Sequence, residues 1–331
     1  MAAEGATPLL NNLPDEIVIW EILVRLDPKS LLHCRAVRRA WRCATDSHIL
    51  SIDHRAAQPQ FHMVARHDEP FILESSCDGL LLSRTHRPYW SPSGTFHSES
   101  SLAVYNPATG EHAYLGLLPW GFSILGMYPH RPTAEYRLLL TNSRVPEYQI
   151  GCYVLTLGSD QPLRYIGHRP PYFVIALHWF PVKHRKHVLV FDTEAESFRH
   201  MRAPFVLGGG DSGLLEMDGT LSIHSLDDDT EIVNIWVLQD YRSEVWDLKY
   251  RIKLPAAEIR EQFEDSAESW DLDVVSQDGD VFLLVNFGGW LVRVDSDGKL
   301  IDSFSYGDRE LWMYEYRLKQ SLVQHTLFPR L

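Results

Sequence analysis

The chain changes its hydrophobic period once, near residue 60, and that change limits what it can fold into. Between residues 13 and 50, LPDEIVIWEILVRLDPKSLLHCRAVRRAWRCATDSHIL, apolar side chains recur at the spacing of amphipathic helices. From residue 60 onward, short runs rich in Val, Ile, Leu, Tyr, Phe and Trp alternate with turn residues. The expected fold is therefore α+β and multidomain. Residues 1–11 are read as a disordered N-terminus, 12–55 as a small helical unit and 60–331 as a large all-β domain.

The helical unit is punctuated by its own residues. Pro14 has no N–H to leave unsatisfied in a first turn, and Asp15 and Glu16 favour the positive end of a helix. Ile17, Val18, Ile22 and Leu26 follow on one face, widened by Leu23. Asp27-Pro28 stops that helix, because the residue before proline is pushed out of the α region. Pro28 then opens a second helix through Leu31 and Leu32. A third places Val37, Ala40, Trp41 and Ala44 on one side and most of Arg35, Arg38, Arg39 and Arg42 on the other. Asp46-Ser47 reads as the cap of a fourth. About 40 residues are at the edge of independent stability. The apolar face is either an internal core or a surface covered by a partner or by the neighbouring domain, and periodicity leaves both open.

In order and without gaps, Leu13-Pro14-Asp15-Glu16-Ile17-Val18, Glu21 to Leu26, Lys29-Ser30-Leu31-Leu32 and Arg35 to Arg42 resemble an F-box. That resemblance implies binding to a Skp-type adaptor and, through it, to a cullin-based ubiquitin ligase. It makes Leu13, Pro14, Ile17, Ile22, Leu26, Leu31, Val37 and Trp41 the adaptor-binding or motif-core residues, without dividing the two roles. Arg38 and Asp27 depart from the residues common in that family.

In the β domain, about twenty strands at roughly twelve-residue spacing argue for a large antiparallel fold. At four strands per blade that is five or six propeller blades, with a packed antiparallel sandwich as the alternative. Asp-Gly pairs at 78–79, 218–219, 278–279 and 297–298 mark tight hairpins. Segments 104–111, 190–196 and 291–299 share a pattern of strand, turn and strand start. Ala256–Phe263, after Pro255, is the one helix expected. Cys77-Asp78-Gly79-Leu80-Leu81, Tyr105-Asn106-Pro107-Ala108-Thr109-Gly110, Ala176-Leu177-His178-Trp179, Phe191-Asp192, Asp218-Gly219 and Ile235-Trp236-Val237-Leu238 together resemble the F-box-associated domain of plant F-box proteins. That resemblance implies a propeller-like domain recruiting a target protein.

The net charge of −13 is uneven. Residues 201–331 hold twenty-five Asp and Glu against twelve Lys and Arg, and the remainder is balanced. An acidic surface disfavours nucleic-acid binding, which needs basic groups against phosphate. No apolar run is long enough to span a membrane, and residues 1–12 lack the basic start and apolar core of a secretory signal. Four scattered cysteines fit a reduced cytoplasmic or nuclear setting.

No catalytic constellation stands out. Gly208 to Gly213 satisfies G-x-G-x-x-G, but a strand and an Asp-Gly turn follow where a phosphate-binding loop needs a helix. His178, His184 and His187 lie among Lys183, Arg185 and Lys186 and read as a charged turn rather than a zinc site. Asp227–Asp229, Glu264–Asp265 and Asp271 with Asp273 read as solvated loops, and the tryptophans as mostly core. The expectation is a non-catalytic receptor with no cofactor and no metal. It would hold a Skp-type adaptor at the front and an unidentified target on the β domain. The alternative is a propeller enzyme or small-molecule binder capped by the helices.

Overall fold

Asp78 and Gly79 both take positive φ, 53° and 82°. That pair of conformations makes a two-residue type I′ turn, whose twist matches the strands it joins. In the computed structural model it connects Phe71–Cys77 to Leu80–Trp90. Gly219, Gly279 and Gly298 also take positive φ at the other three expected hairpins, although the turn from Asp295 to Leu300 is longer and Asp297 does not share that conformation. The structure describes residues 17–34, 37, 39–41, 60–66, 71–90, 96–118, 121–142, 150–168, 178–179, 185–207, 212–217, 219–227, 229–263, 271–277, 279–307, 311–319, 321, 325 and 327.

In chain order, β1 (Gln60–Arg66) precedes four consecutive strands, β2 (Phe71–Cys77), β3 (Leu80–Trp90), β4 (Phe96–Tyr105) and β5 (His112–Leu117). These four form one antiparallel sheet. A second sheet is β6 (Phe122–His130), β7 (Glu135–Asn142), β8 (Gly151–Thr156) and β9 (Arg164–His168). Then β10 (His178–Trp179), β11 (Arg185–Asp192) and β12 (Ser197–Leu207) make a three-stranded sheet. Two more four-stranded sheets follow. One is β13 (Ser212–Met217), β14 (Thr220–Asp227), β15 (Ile232–Asp240) and β16 (Val245–Lys253). The other is β17 (Asp271–Gln277), β18 (Asp280–Phe287), β19 (Trp290–Asp295) and β20 (Leu300–Ser305). Finally β21 (Leu311–Lys319) returns to pair antiparallel with β1. Helix Ala256–Phe263 lies between the last two four-stranded sheets in the sequence, as expected.

The sheets succeed one another like propeller blades, and the cores lie between them. On β7, Leu138, Leu139 and Leu140 are all fully buried although neighbours on a strand face opposite ways. Leu138 and Leu140 pack with Leu80, Leu82 and Val104 of the preceding sheet, whereas Leu139 packs with Leu189 and Phe191 of the following one. Val188 and Val190 join Ile223 and Leu238 in the next layer. A last layer, from Leu215 to Val294, takes in Ile259 and Phe263 of the helix. A sheet buried on both faces by two different neighbours is a blade, not a leaf of a two-layer sandwich. Among the described residues there are six sheets, four of them of four strands, one of three and one of two, where strand count suggested five or six blades.

Strand β2 has no counterpart in the sequence reading, because Glu74, Ser75 and Ser76 interrupt its apolar pattern. All three are at least partly buried. Glu74 Oε1 lies 2.6 Å from Arg84 Nε, an ion pair. Ser75 Oγ accepts from Met127 N–H at 3.1 Å, tying β2 to β6. Burial raises the Glu74 carboxyl above its ordinary pKa, and Arg84 offsets this only in part.

One turn recurs around the sheets. Asp192, Asp227, Asp240 and Asp295 each accept backbone N–H bonds from residues two to four positions on. Asn106 does the same to Ala108. In three of these turns the left-handed position is a glutamate: Glu196, Glu231 and Glu244, at φ 49°, 55° and 56°. Side chains in that region are strained. Each of the three reaches an arginine beyond its own hairpin. Glu196 meets Arg137 and Arg164, Glu231 meets Arg260 and Glu244 meets Arg199. The strained turns thus link one blade to the next or to the helix.

Candidate functional site

The front helices sort the sequence-derived site residues into two groups. Leu26 takes an extended conformation, φ −69° and ψ 153°, and ends the first helical run. Asp27 then starts the next: its Oδ1 accepts from Ser30 N–H at 3.0 Å and its carbonyl accepts from Leu31 N–H at 2.9 Å. With Pro28 in the first turn of helix Pro28–Cys34, this is a complete N-cap. The expected first helix is not a regular α-helix. It is a wide π turn over Val18–Ile22, followed by a tight 3₁₀ turn over Leu23–Arg25.

Inward, Val18, Leu23, Leu31 and Trp41 form a buried cluster, with Ile19, Leu26 and Cys34 packed against it. Outward, Ile17 is 45% exposed, Ile22 36% and Val37 63%. Of the eight residues implicated by the motif, Leu31 and Trp41 are therefore core, and half-buried Leu26 supports them. Ile17, Ile22 and Val37 lie outside that core, exposed to solvent. Leu13 and Pro14 lie outside the described residues. Cys34 is held on the inward side, where burial and then the negative charge of Asp27 raise its thiol pKa. Three large aliphatic side chains are thus left in water on a small unit.

The chemistry weighed in the β domain takes a different form. Asp227 is spent on turn N–H groups, and Asp229 is exposed in the same turn. Asp228, Glu264 and Asp265 lie outside the described residues, as do Gly208 to Asp211 and His184. Gly213 belongs to β13. His187 faces His200 across 6.0 Å. Among the described residues, no group of three or more His, Cys, Asp or Glu is placed to hold a metal, and no helix is long and apolar enough to cross a membrane. Trp236, Trp246 and Trp290 are half-buried. Trp236 stacks on Phe205 at 4.3 Å, Trp290 on Phe263 at 4.9 Å, and Trp246 Nε1 donates to the Arg202 carbonyl at 2.8 Å.

Sequence reasoning passed over two buried polar groups. His224 lies between the last two blades with Nε2 3.8 Å from Asp273 Oδ1. Its ring fills the space that a side chain on Gly213 would need, 2.1 Å from an added Cβ. Asn106, within a quoted motif, is fully buried and ties its turn to Ser321. A histidine in an alternating strand and an asparagine before proline carry no local signal of burial.

Blades stacked by consecutive strands, with β1 paired to β21 and a small helical unit in front, define a propeller-like architecture. The sequence agrees. The family described as the F-box associated beta propeller domain matches residues 47–288, well over half of the chain, and the chain belongs to that family. No curated protein matches it. Among solved structures it is similar to the periplasmic gluconolactonase of Pseudomonas aeruginosa, at 12% identity over 79% of this chain and 86% of that one, with a TM-score of 0.38. A GH43_1 enzyme from Xanthomonas citri shares 8% identity over 75% and 95%, at TM-score 0.34. A chain of a mitotic checkpoint complex shares 12% over 75% and 71%, at 0.31. Likenesses this distant carry nothing about activity.

Proposed function

We propose that this chain is the substrate-recognition subunit of a Skp–cullin–F-box ubiquitin ligase of the plant type. The front helices form the F-box and dock a Skp-type adaptor, which brings the cullin. The propeller-like domain holds the target protein. The observation that carries this reading is the division of the front helices into a closed core of Val18, Leu23, Leu31 and Trp41 and an open apolar face of Ile17, Ile22 and Val37. Membership of the F-box-associated family supports it.

The mechanism is proximity. One polypeptide binds the adaptor and the target together, so a lysine of the target reaches the ligase's ubiquitin carrier at high effective concentration. The transfer chemistry belongs to the rest of the ligase, and the work is done in the cytoplasm or the nucleus.

The test is co-purification of the full chain with a Skp-type adaptor, beside an established F-box protein as control. The expected result is a stoichiometric complex. A chain that stays folded but captures no adaptor where the control does overturns the proposal. Accumulation of captured partners under proteasome inhibition separates degradation from adaptor binding with another purpose.

A further inference from the structure

We propose that the β4–β5 turn, Asn106 to Gly110, is the seat that fixes the helical unit against the β domain, and that Ser321, His325 and Leu327 lock this seat. Only the consequence for ligase geometry rests on the function proposed above.

Asn106 makes four hydrogen bonds at this turn. Asn106 N–H donates to the Glu111 carbonyl at 2.8 Å, and Gly110 N–H donates to the Asn106 carbonyl at 2.8 Å. Ala108 N–H donates to Asn106 Oδ1 at 3.0 Å. The fourth bond leaves the turn: Asn106 Nδ2 donates to the Ser321 carbonyl at 3.1 Å, 215 positions along the chain. The sister turns show why asparagine matters. Asp192, Asp227, Asp240 and Asp295 close their turns with carboxylate oxygen alone. A carboxylate would close this one too, but it has no N–H to offer the Ser321 carbonyl. Of these five residues Asn106 alone is buried, at 0% exposure, and Ser321 is equally buried.

Two residues further on, Ala108 packs against the cluster of Val18, Leu23, Leu31 and Trp41. The turn therefore touches the helices on one side and Ser321 on the other. Two later residues are anchored to the blades as well. The His325 ring packs edge-on against Tyr136 at 5.3 Å, and Leu327 joins the cluster of Leu80, Leu82 and Leu138. Tyr136 in turn donates to Asp78 Oδ2 at 3.0 Å, so the lock spans the first two four-stranded blades. Together with the β1–β21 pairing, these contacts attach the helices to the blades at a second place besides the connecting chain. The helical unit is then held as one body with the blades, and an adaptor on Ile17, Ile22 and Val37 would meet the target-binding domain at a set angle.

Hydrogen exchange read by mass spectrometry tests this on the isolated full chain, without any adaptor. Asn106→Asp keeps the turn acceptor and removes the donor to Ser321; a chain ending at Lys319 removes the lock altogether. In both, the amides of residues 18–34 are expected to exchange about tenfold faster, while β13 to β20 keep their wild-type protection. Wild-type exchange at 18–34 in both variants overturns the proposal, as does a rise confined to the shortened chain. If Asn106→Asp loses protection throughout, the shortened chain decides: faster exchange at 18–34 alone supports the lock, and unchanged exchange there overturns it. Failure of the wild-type chain to bind an adaptor would remove the function proposed above and leave this result standing.

Discussion

Arg137 Nη1 lies 2.7 Å from Glu196 Oε1, joining strand β7 to the turn between β11 and β12. Glu196 also accepts from the Tyr128 hydroxyl at 2.8 Å and pairs with Arg164. Arg137 is held on its other side by Glu135 at 2.8 Å. Arg137 and Glu196 are both mostly buried, so the contact is more than a screened surface pair. The backbone at Glu196 is left-handed, with φ 49°. The residue thus combines a strained conformation with an inter-blade charge clamp, the two effects having opposite signs.

Substituting Glu196 separates them. Glu196→Ala keeps the strain and leaves Arg137 without its main partner, and should destabilise the fold by about 3 kcal/mol. Glu196→Gly loses the same contacts but relaxes the backbone, and should recover about 1 kcal/mol of that. Urea midpoints of the two variants measure the difference. Equal midpoints would mean that strain at this turn is energetically silent.

A second pair of variants isolates close approach from conformation. Gly219 and Gly298 both sit at positive φ, 77° and 80°. A Cβ on Gly219 would meet nothing within 4 Å, whereas one on Gly298 would lie 2.4 Å from the Lys253 carbonyl oxygen. Gly219→Ala should cost about 1 kcal/mol from conformation alone. Gly298→Ala should cost roughly 3 kcal/mol, because backbone must also shift. Thermal melts of the two proteins should rank them in that order, and the opposite order would show that the β19–β20 turn does not abut Lys253.

Two of the recurring turns contribute to the acid side of the stability profile. Backbone N–H donors from Ala195 and Glu194 hold the Asp192 carboxyl below its ordinary pKa. The Ser243 hydroxyl, then the backbone N–H groups of Arg242 and Ser243, do the same to Asp240. A carboxyl lowered in the folded state stabilises it fully above its unfolded pKa of about 3.9, and that contribution is lost as pH falls through the folded value. Asn at both positions keeps an acceptor and removes the titration. Below about pH 4 the Asp192→Asn, Asp240→Asn protein should therefore lose stability less steeply than wild type. Superimposable acid limbs in urea titrations would refute the assignment. Glu74 acts with the opposite sign: its pKa is raised by burial, so its share of stability declines as pH rises above the unfolded value.

What could be read beforehand followed the range of the interactions. Hairpins marked by Asp-Gly and the helix Ala256–Phe263 are local, and they stand where the pattern put them. Strand β2 was hidden because Glu74 and Ser75 are buried through partners on β3 and β6, which no local pattern encodes. The division of the front helices was hidden for a similar reason. Ile17 and Val18 are adjacent apolar residues, yet one is exposed and the other is in the core, and an apolar pattern alone does not say which. Asn106 reads as an ordinary turn residue, and its partner Ser321 lies near the far end of the sequence.

That division also supplies the sharpest test of the docking face. Ile17 and Val37 contribute little to the core, so Ile17→Asp with Val37→Asp should change stability by less than about 0.5 kcal/mol. Charges placed on an apolar contact must be desolvated there without partners, so the same double variant should weaken adaptor capture at least about a hundredfold. Trp41→Ala acts through the core instead. It removes a side chain that is 7% exposed among Val18, Leu23 and Leu31, and should cost the helical unit about 3 kcal/mol. Its capture should fail together with folding, visible as lost protection at residues 18–34 in hydrogen exchange. Wild-type capture by the double aspartate variant would show that the open face of Ile17, Ile22 and Val37 is not the dock.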